Sequence, residues 1–101
     1  MECSVFIVSI TYKSDLSEVD RLISEHVTFL KKYYASGNFI ASGRKVPRTG
    51  GIILVNASNK DEVDAILKED PFHIENLADY EVTEFVPTMA AKEFEAIKNC
   101  I

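Results

Sequence analysis

The order of apolar patterns along this chain limits the folds that it can adopt. Alternating or continuous apolar runs predict four strands, at 4–12, 38–43, 51–57 and 80–86. After the first strand and again after the third, apolar residues recur every three or four positions, which predicts two helices. The first covers residues 16–34. The second follows the capping residues Ser58 and Asn59 and ends at Asp70, before Pro71.

The resulting order, strand-helix-strand-strand-helix-strand, is typical of an α+β ferredoxin-like fold with one antiparallel sheet of four strands. Two helices can cover only one face of such a sheet. The first and third strands are nevertheless apolar on both faces, as in the run 52–55. A symmetric partner sheet is the simplest cover for the second face, so we expect a homodimer.

Length and composition predict a single globular domain, which we place at residues 1–87. A short helix with a thin apolar stripe is predicted at 88–99, within a C-terminal extension at 88–101. The net charge is −5, with acidic and basic residues interspersed, which argues against binding to nucleic acid.

Membrane insertion and secretion are not expected either. No apolar run approaches the ~20 residues that span a bilayer. The sequence enters a strand pattern at once and shows no secretory signal, so we expect a cytoplasmic protein. Cys3 and Cys100 lack metal-binding or redox spacing, and we expect them to be free thiols.

Two ionisable residues stand where the helix patterns call for apolar ones. His26 lies in the stripe between Ile23 and Leu30, and Asp70 lies one turn after Leu67. Burial without a partner costs roughly 2–7 kcal/mol even for a neutral polar group, so we expect the two side chains to meet or to line a wet pocket. A carboxylate that orients an imidazole and fixes its tautomer supports acid/base catalysis. The alternatives are a structural core histidine and a solvated aspartate.

Other residues near these positions are candidates for substrate binding. Arg44 and Arg48 lie in a basic loop that is either simply solvated or binds a substrate carboxylate. Ser42 lacks the pattern of a nucleophile and is expected to be a hydrogen-bonding or structural residue. Because the sequence shows no evident nucleophile, proton transfer is favoured over covalent hydrolysis. Phe72 either lines a pocket or fills the core.

No cofactor or metal is predicted. His26 and Asp70 are too few ligands for a metal site. The pair Gly50-Gly51 indicates a turn rather than a phosphate-binding loop.

Several segments together resemble a known family. They are His26, Ile40-Ala41-Ser42-Gly43, Val46-Pro47-Arg48-Thr49-Gly50-Gly51, Asp70-Pro71-Phe72, and Leu77-Ala78-Asp79-Tyr80-Glu81-Val82 followed by Phe85. In this order they resemble the YciI-like (YCII-related) family over about residues 4–87. The resemblance implies a dimeric α+β barrel of two ferredoxin-like subunits, with an active site centred on His26 and Asp70.

The resemblance also implies a range of reactions. Some relatives dehydrochlorinate muconate-type ring-cleavage products, and the wider superfamily includes muconolactone isomerases and monooxygenases. The family often has proline where this chain has Arg44. This difference changes the charge of the loop, so the resemblance does not imply that this chain has the same substrate as its relatives.

We therefore favour a small dimeric enzyme that uses His26 and Asp70 for acid/base chemistry of the lyase or isomerase type. Its substrate is expected to be a small organic acid or lactone, bound by Ser42, Arg44, Arg48 and Phe72. The alternatives are a non-catalytic dimeric module that binds a metabolite, and a structural dimer whose His26–Asp70 pair only specifies packing.

Overall fold

A computed structural model describes residues 4–98, with the side chains of Ala96 and Lys98 left out. The elements, in chain order, are β1 (Ser4–Tyr12), α1 (Leu16–Arg21), α2 (Ile23–Ala35), β2 (Phe39–Arg44), β3 (Gly50–Ala57), α3 (Lys60–Leu67), α4 (Pro71–Ile74), β4 (Ala78–Phe85) and a 3-10 helix (Lys92–Lys98). Cys3 and Cys100 lie outside the described residues, so the prediction of free thiols stays a prediction.

The four strands form one sheet in the order β2-β3-β1-β4, and every neighbouring pair is antiparallel. Strand β1 lies in the interior of the sheet, where Val8 is opposite Ile53 of β3 and Val82 of β4. This topology is that of the ferredoxin-like α+β fold, so the predicted fold class is confirmed.

The core lies between the sheet and the helices. Alternate residues of β1 and β3 face the helices because successive side chains of a strand point to opposite sides. The helices contribute the apolar residues of their predicted stripes. The most deeply buried core side chains include Phe6, Val8, Val19, Ile53, Val55, Val63 and Phe72.

The other face of the sheet is apolar at its centre. Ile7 of β1 is opposite Leu54 of β3, and Ile52 is opposite Ser9. Ile7, Ile52 and Leu54 are all half-buried. The two-sided apolar character of β1 and β3 is therefore present in the folded chain.

The first predicted helix is divided into two. Leu22, with φ −105° and ψ 4°, separates α1 from α2, and its N–H donates to the carbonyl of Val19 at 3.1 Å. The apolar spacing does not signal this break because Val19, Leu22 and Ile23 also fit one continuous stripe. His26 consequently lies in the first turn of α2, where its N–H donates to the carbonyl of Leu22 at 2.9 Å.

The second predicted helix ends earlier than expected. Helix α3 ends at Leu67, and Asp70 adopts an extended conformation (φ −68°, ψ 126°) as the N-cap of the separate helix α4. Placing Asp70 on the second helix was therefore wrong. Pro71 explains the difference, because proline favours an extended residue before it and is well suited to the first position of a new helix.

The C-terminal helix also differs from the prediction at 88–99. A 3-10 helix begins only at Lys92, and the N–H of Phe94 donates to the carbonyl of Ala91 at 2.8 Å. Met89 is 88% exposed and Phe94 is 61% exposed, so the predicted apolar stripe buries little against the rest of the chain. A short helix without such burial is marginal in water. No helix in residues 4–98 is long and apolar enough to cross a membrane.

Candidate active site

The carboxylate of Asp70 is fully buried and accepts hydrogen bonds from three donors. Its Oδ1 lies 2.8 Å from Nδ1 of His26 and accepts the backbone N–H of Phe72 at 3.1 Å. Its Oδ2 accepts the hydroxyl of Tyr80 at 2.6 Å. The exposed fraction of Asp70 is 0%, so these groups replace the water that a carboxylate otherwise requires.

Local sequence explains how Asp70 reaches this position. As the N-cap of α4, it accepts the N–H of Phe72, a bond typical of aspartate before a helix. Pro71 at the first helical position lacks an N–H that would need a partner. The connection from α4 to β4 is closed by the N–H of Leu77, which donates to the carbonyl of Phe72 at 2.8 Å.

The imidazole of His26 is held between Asp70 and aromatic rings. Its side chain is only 12% exposed. The ring of Phe72 stacks on it with a centroid distance of 4.3 Å and an interplanar angle of 16°, and Phe29 lies 6.0 Å away. Stacking on one side and a hydrogen bond at the edge leave the imidazole little rotational freedom.

The partners of Asp70 determine the tautomer of His26. The N–H of Phe72 and the hydroxyl of Tyr80 both donate to the carboxylate, so an ionised Asp70 also accepts a proton donor from His26. That donor is Nδ1–H. In the neutral imidazole, Nε2 then carries the free lone pair and is the nitrogen available to a ligand.

Tyr80 is a site residue that sequence reasoning missed. Burial raises the pKa of the Tyr80 phenol, and the neighbouring carboxylate of Asp70 raises it further, so the hydroxyl keeps its proton. The strand pattern places Tyr80 on the helix-facing side of β4, opposite Ile10. A buried tyrosine hydroxyl usually needs a hydrogen-bond partner, and this was the signal in the sequence that could have identified Tyr80 as a site residue.

A cavity of about 280 Å³ opens beside His26, between α2 and the sheet. Its apolar wall includes Ile10, Ile23, Val27, Leu30 and Ile53. The polar side chains that line it are Tyr12, His26, Ser42 and Arg44, together with the ring of Phe72. A mostly apolar cavity with a few converging polar groups is the usual form of a small-molecule site.

Ser42 and Arg44 reach this cavity because both lie on the helix-facing side of β2, where Ser42 is opposite Ile53 and Arg44 is opposite Gly51. The hydroxyl of Ser42 lies 2.7 Å from that of Tyr34. Within residues 4–98, Arg44 forms no ion pair. Its guanidinium is therefore free to bind an anion.

Arg48 is not brought to the cavity with the other predicted residues. Its guanidinium forms an ion pair with Asp20 on the surface, at 2.5 Å. That carboxylate raises the pKa of Arg48. Tyr12, which lines the cavity, was not singled out from the sequence; its place at the end of the alternating strand β1 was the only signal.

Glu69 provides a second link between α2 and the segment that carries Asp70. Its carboxylate accepts the ammonium of Lys32 at 2.6 Å and the hydroxyl of Tyr33 at 2.5 Å. Lys32 and then Tyr33 lower the pKa of Glu69. Residues 69 and 70 are thus both bonded to helix α2, one at the surface and one in the interior.

The described residues contain no group of three or more His, Cys, Asp and Glu side chains that could hold a metal ion. The His26–Asp70 pair itself can transfer a proton and form hydrogen bonds.

The ferredoxin-like sheet makes this chain a small α+β protein, and its buried histidine–aspartate pair lies beside a cavity of ligand size. Within that class, the family model of the YCII-related domain matches residues 5–86. The chain belongs to the YCII-related family, as its motifs indicated. A comparison with proteins of curated function gives no significant match.

Solved structures that are similar to this chain include a dehydrochlorinase and an oxygenase. One is 5-chloro-2-hydroxyhydroquinone dehydrochlorinase (TftG) from Burkholderia phenoliruptrix AC1100, in complex with 2,5-dihydroxybenzoquinone. Its TM-score is 0.70 at 18% identity, over 80% of this chain and 92% of that chain. The other is SnoaB, a cofactor-independent oxygenase from Streptomyces nogalater, with a TM-score of 0.52 at 11% identity over 91% of this chain and 99% of that chain. At these identities the similarity shows a shared fold alone.

Replacing Asp70 by alanine leaves three donors without their acceptor. Each buried unsatisfied donor costs about 1–3 kcal/mol, so we expect Asp70→Ala to lower the free energy of unfolding by about 3 kcal/mol or more. Asp79→Ala is the matched control, because the Asp79 side chain is 74% exposed and bonds only to Lys13 among the described residues. Its loss should stay below about 1 kcal/mol.

Urea denaturation measures both losses. Asp70→Asn keeps one carbonyl acceptor and should fall between the two alanine variants. Equal losses in Asp70→Ala and Asp79→Ala would show that the three hydrogen bonds of Asp70 contribute little to stability.

Proposed function

We propose that this chain is a cytoplasmic small-molecule enzyme that uses His26 as a general base and acid, oriented by Asp70. The observation that carries the proposal is the 2.8 Å bond between Nδ1 of His26 and the buried carboxylate, beside a ligand-sized cavity. This bond leaves Nε2 for a substrate. Imidazole suits such a role because it gains and loses a proton near neutral pH.

The proposed reaction begins when Nε2 removes a proton from a carbon next to an electron-withdrawing group of the substrate. The electrons of the broken C–H bond form a new double bond. In a lyase reaction they expel a leaving group, and in an isomerase reaction the imidazolium returns the proton to another carbon. Asp70 stabilises the imidazolium between these steps.

The lining of the cavity supports a small anionic or carbonyl-bearing substrate. Arg44 offers a forked donor suited to a carboxylate, and Ser42 offers a hydroxyl. A volume of about 280 Å³ admits a small organic acid or lactone. The dehydrochlorinase TftG, which has the same fold, binds 2,5-dihydroxybenzoquinone, a small oxygenated ring.

We propose that the chain works as a homodimer joined through the outer face of its sheet. The half-buried side chains of Ile7, Ile52 and Leu54 support this, because an exposed apolar face of a sheet is otherwise costly in water. A second copy presents the same apolar residues and covers the face by symmetry.

Activity is tested with a panel of unsaturated dicarboxylates, lactones and halogenated hydroquinones, followed by ultraviolet absorbance. We expect turnover of at least one compound, and a loss of about 100-fold or more in kcat for His26→Ala and Asp70→Asn. Asp61→Asn is the control, because Asp61 is exposed at the start of α3 and does not line the cavity, and it should keep full activity. Turnover unchanged in His26→Ala, or ligand-induced thermal stabilisation without turnover by any compound, would reject the enzymatic proposal.

Substituting Arg44 and Arg48 separately tests whether a substrate carboxylate binds to Arg44 itself or responds only to the positive charge of the surface. Arg44→Gln should raise KM for a carboxylated substrate about tenfold, the effect of losing one hydrogen bond to a charged group, with kcat changed less. Arg48→Gln removes the same charge from the Asp20 ion pair and should leave KM within about twofold. Equal effects of the two substitutions would contradict the role of Arg44.

A further inference from the structure

We propose that Tyr80 is a positioning residue, whose hydroxyl holds the carboxylate of Asp70 in the orientation that bonds His26. This inference rests on the proposed function of the His26–Asp70 pair. Tyr80 does not line the cavity beside His26, so it acts through Asp70 rather than on a ligand.

The two oxygens of Asp70 have different partners, and this asymmetry carries the argument. Oδ1 bonds His26 and the N–H of Phe72, whereas Oδ2 bonds only Tyr80 among the described residues. A carboxylate held at one oxygen can still rotate about its Cβ–Cγ bond. The hydroxyl of Tyr80 at 2.6 Å holds the second oxygen and so fixes the plane of the group.

The position of Tyr80 in the sheet makes it an effective anchor. Its backbone is in β4, opposite Ile10 of β1, and its ring is half-buried against the core. Asp70, in contrast, lies in the connection between α3 and α4. The hydrogen bond therefore joins a connecting segment to the sheet, while the bond to His26 joins the same segment to helix α2.

Tyr33 supplies a matched comparison within the same chain. Its hydroxyl also donates to a carboxylate, that of Glu69, which is adjacent to Asp70 in sequence. Burial is the main cause that raises the pKa of both phenols, so both hydroxyls are protonated donors. Tyr33→Phe and Tyr80→Phe therefore remove the same kind of bond from neighbouring residues, but only Tyr80 bonds the partner of His26.

The experiment measures how fast the Nδ1 proton of His26 exchanges with water, by NMR on the full chain. In Tyr80→Phe the carboxylate of Asp70 can rotate about its Cβ–Cγ bond, so its bond to the Nδ1 proton of His26 opens more often. We expect this proton to exchange about tenfold faster than in the wild type. Tyr33→Phe should leave the rate within about twofold, even if the two variants lose similar stability in urea. Equal rates in Tyr80→Phe and the wild type would overturn the proposal.

A second measurement applies if Tyr80→Phe does not fold. The hydroxyl proton of Tyr80 in the wild-type protein then tests the same bond, because a phenol that donates to a buried carboxylate at 2.6 Å exchanges its proton slowly enough to give a separate NMR signal. We expect this signal together with that of the Nδ1 proton of His26, and its absence while the Nδ1 signal of His26 remains would overturn the proposal.

The two proposals fail in different ways. The exchange measurement needs no substrate, so it tests the role of Tyr80 whether or not a reaction is found. If His26→Ala keeps full turnover while Tyr80→Phe speeds exchange, the enzymatic proposal fails and the positioning role stands. If His26→Ala loses turnover while Tyr80→Phe leaves the exchange rate unchanged, the positioning role of Tyr80 fails and the enzymatic proposal stands.

Discussion

A charged carboxylate at the centre of a small protein is stable only if its surroundings replace the water that it has lost. In this chain Asp70 meets that condition with three donors from three different parts of the fold: the helix α2, the backbone of α4 and the strand β4. The arrangement of the elements around the site follows from this requirement. Helix α2 must bring His26 inward, α4 must begin at residue 71, and β4 must present Tyr80 toward the helices.

This constraint also gives the site its chemical character. Because the two other partners of Asp70 donate protons, Nδ1 of His26 does the same, and Nε2 remains for the cavity. Arg44 and Ser42 reach that cavity because the antiparallel register of β2 and β3 turns both toward the helices. Membership of the YCII-related family and the similarity to TftG concern the fold that holds this cavity.

Apolar periodicity was enough to predict the strands, the two main helical regions and the sheet with one covered face. It was also enough to identify His26, since a histidine within an apolar stripe is unusual wherever the helix packs. The break at Leu22 escaped prediction because its residues fit both one helix and two. Proline is a stop signal for a preceding helix, which predicts Asp70 at the end of the second helix, but Pro71 also begins the new helix α4.

The remaining site residues depend on tertiary contacts that spacing does not record. Tyr80 lies ten positions from Asp70, on a different element, and a strand pattern alone does not distinguish it from a packing residue. Arg44 and Arg48 looked equivalent in a basic loop, yet Arg44 lies within β2 and faces the cavity, while Arg48 pairs with Asp20. Pairing across the fold, rather than residue type, separates the two arginines.

The tautomer of His26 decides whether Asp70 orients the ring, and ¹⁵N NMR of the imidazole in the unliganded wild-type protein measures it. We expect the neutral ring to carry its proton on Nδ1, where Asp70 accepts it, with Nε2 unprotonated. His73, which is exposed, provides the reference signal in the same spectrum. A neutral His26 that carries its proton on Nε2, or an even mixture of the two tautomers, would show that Asp70 does not orient the ring for catalysis through Nε2.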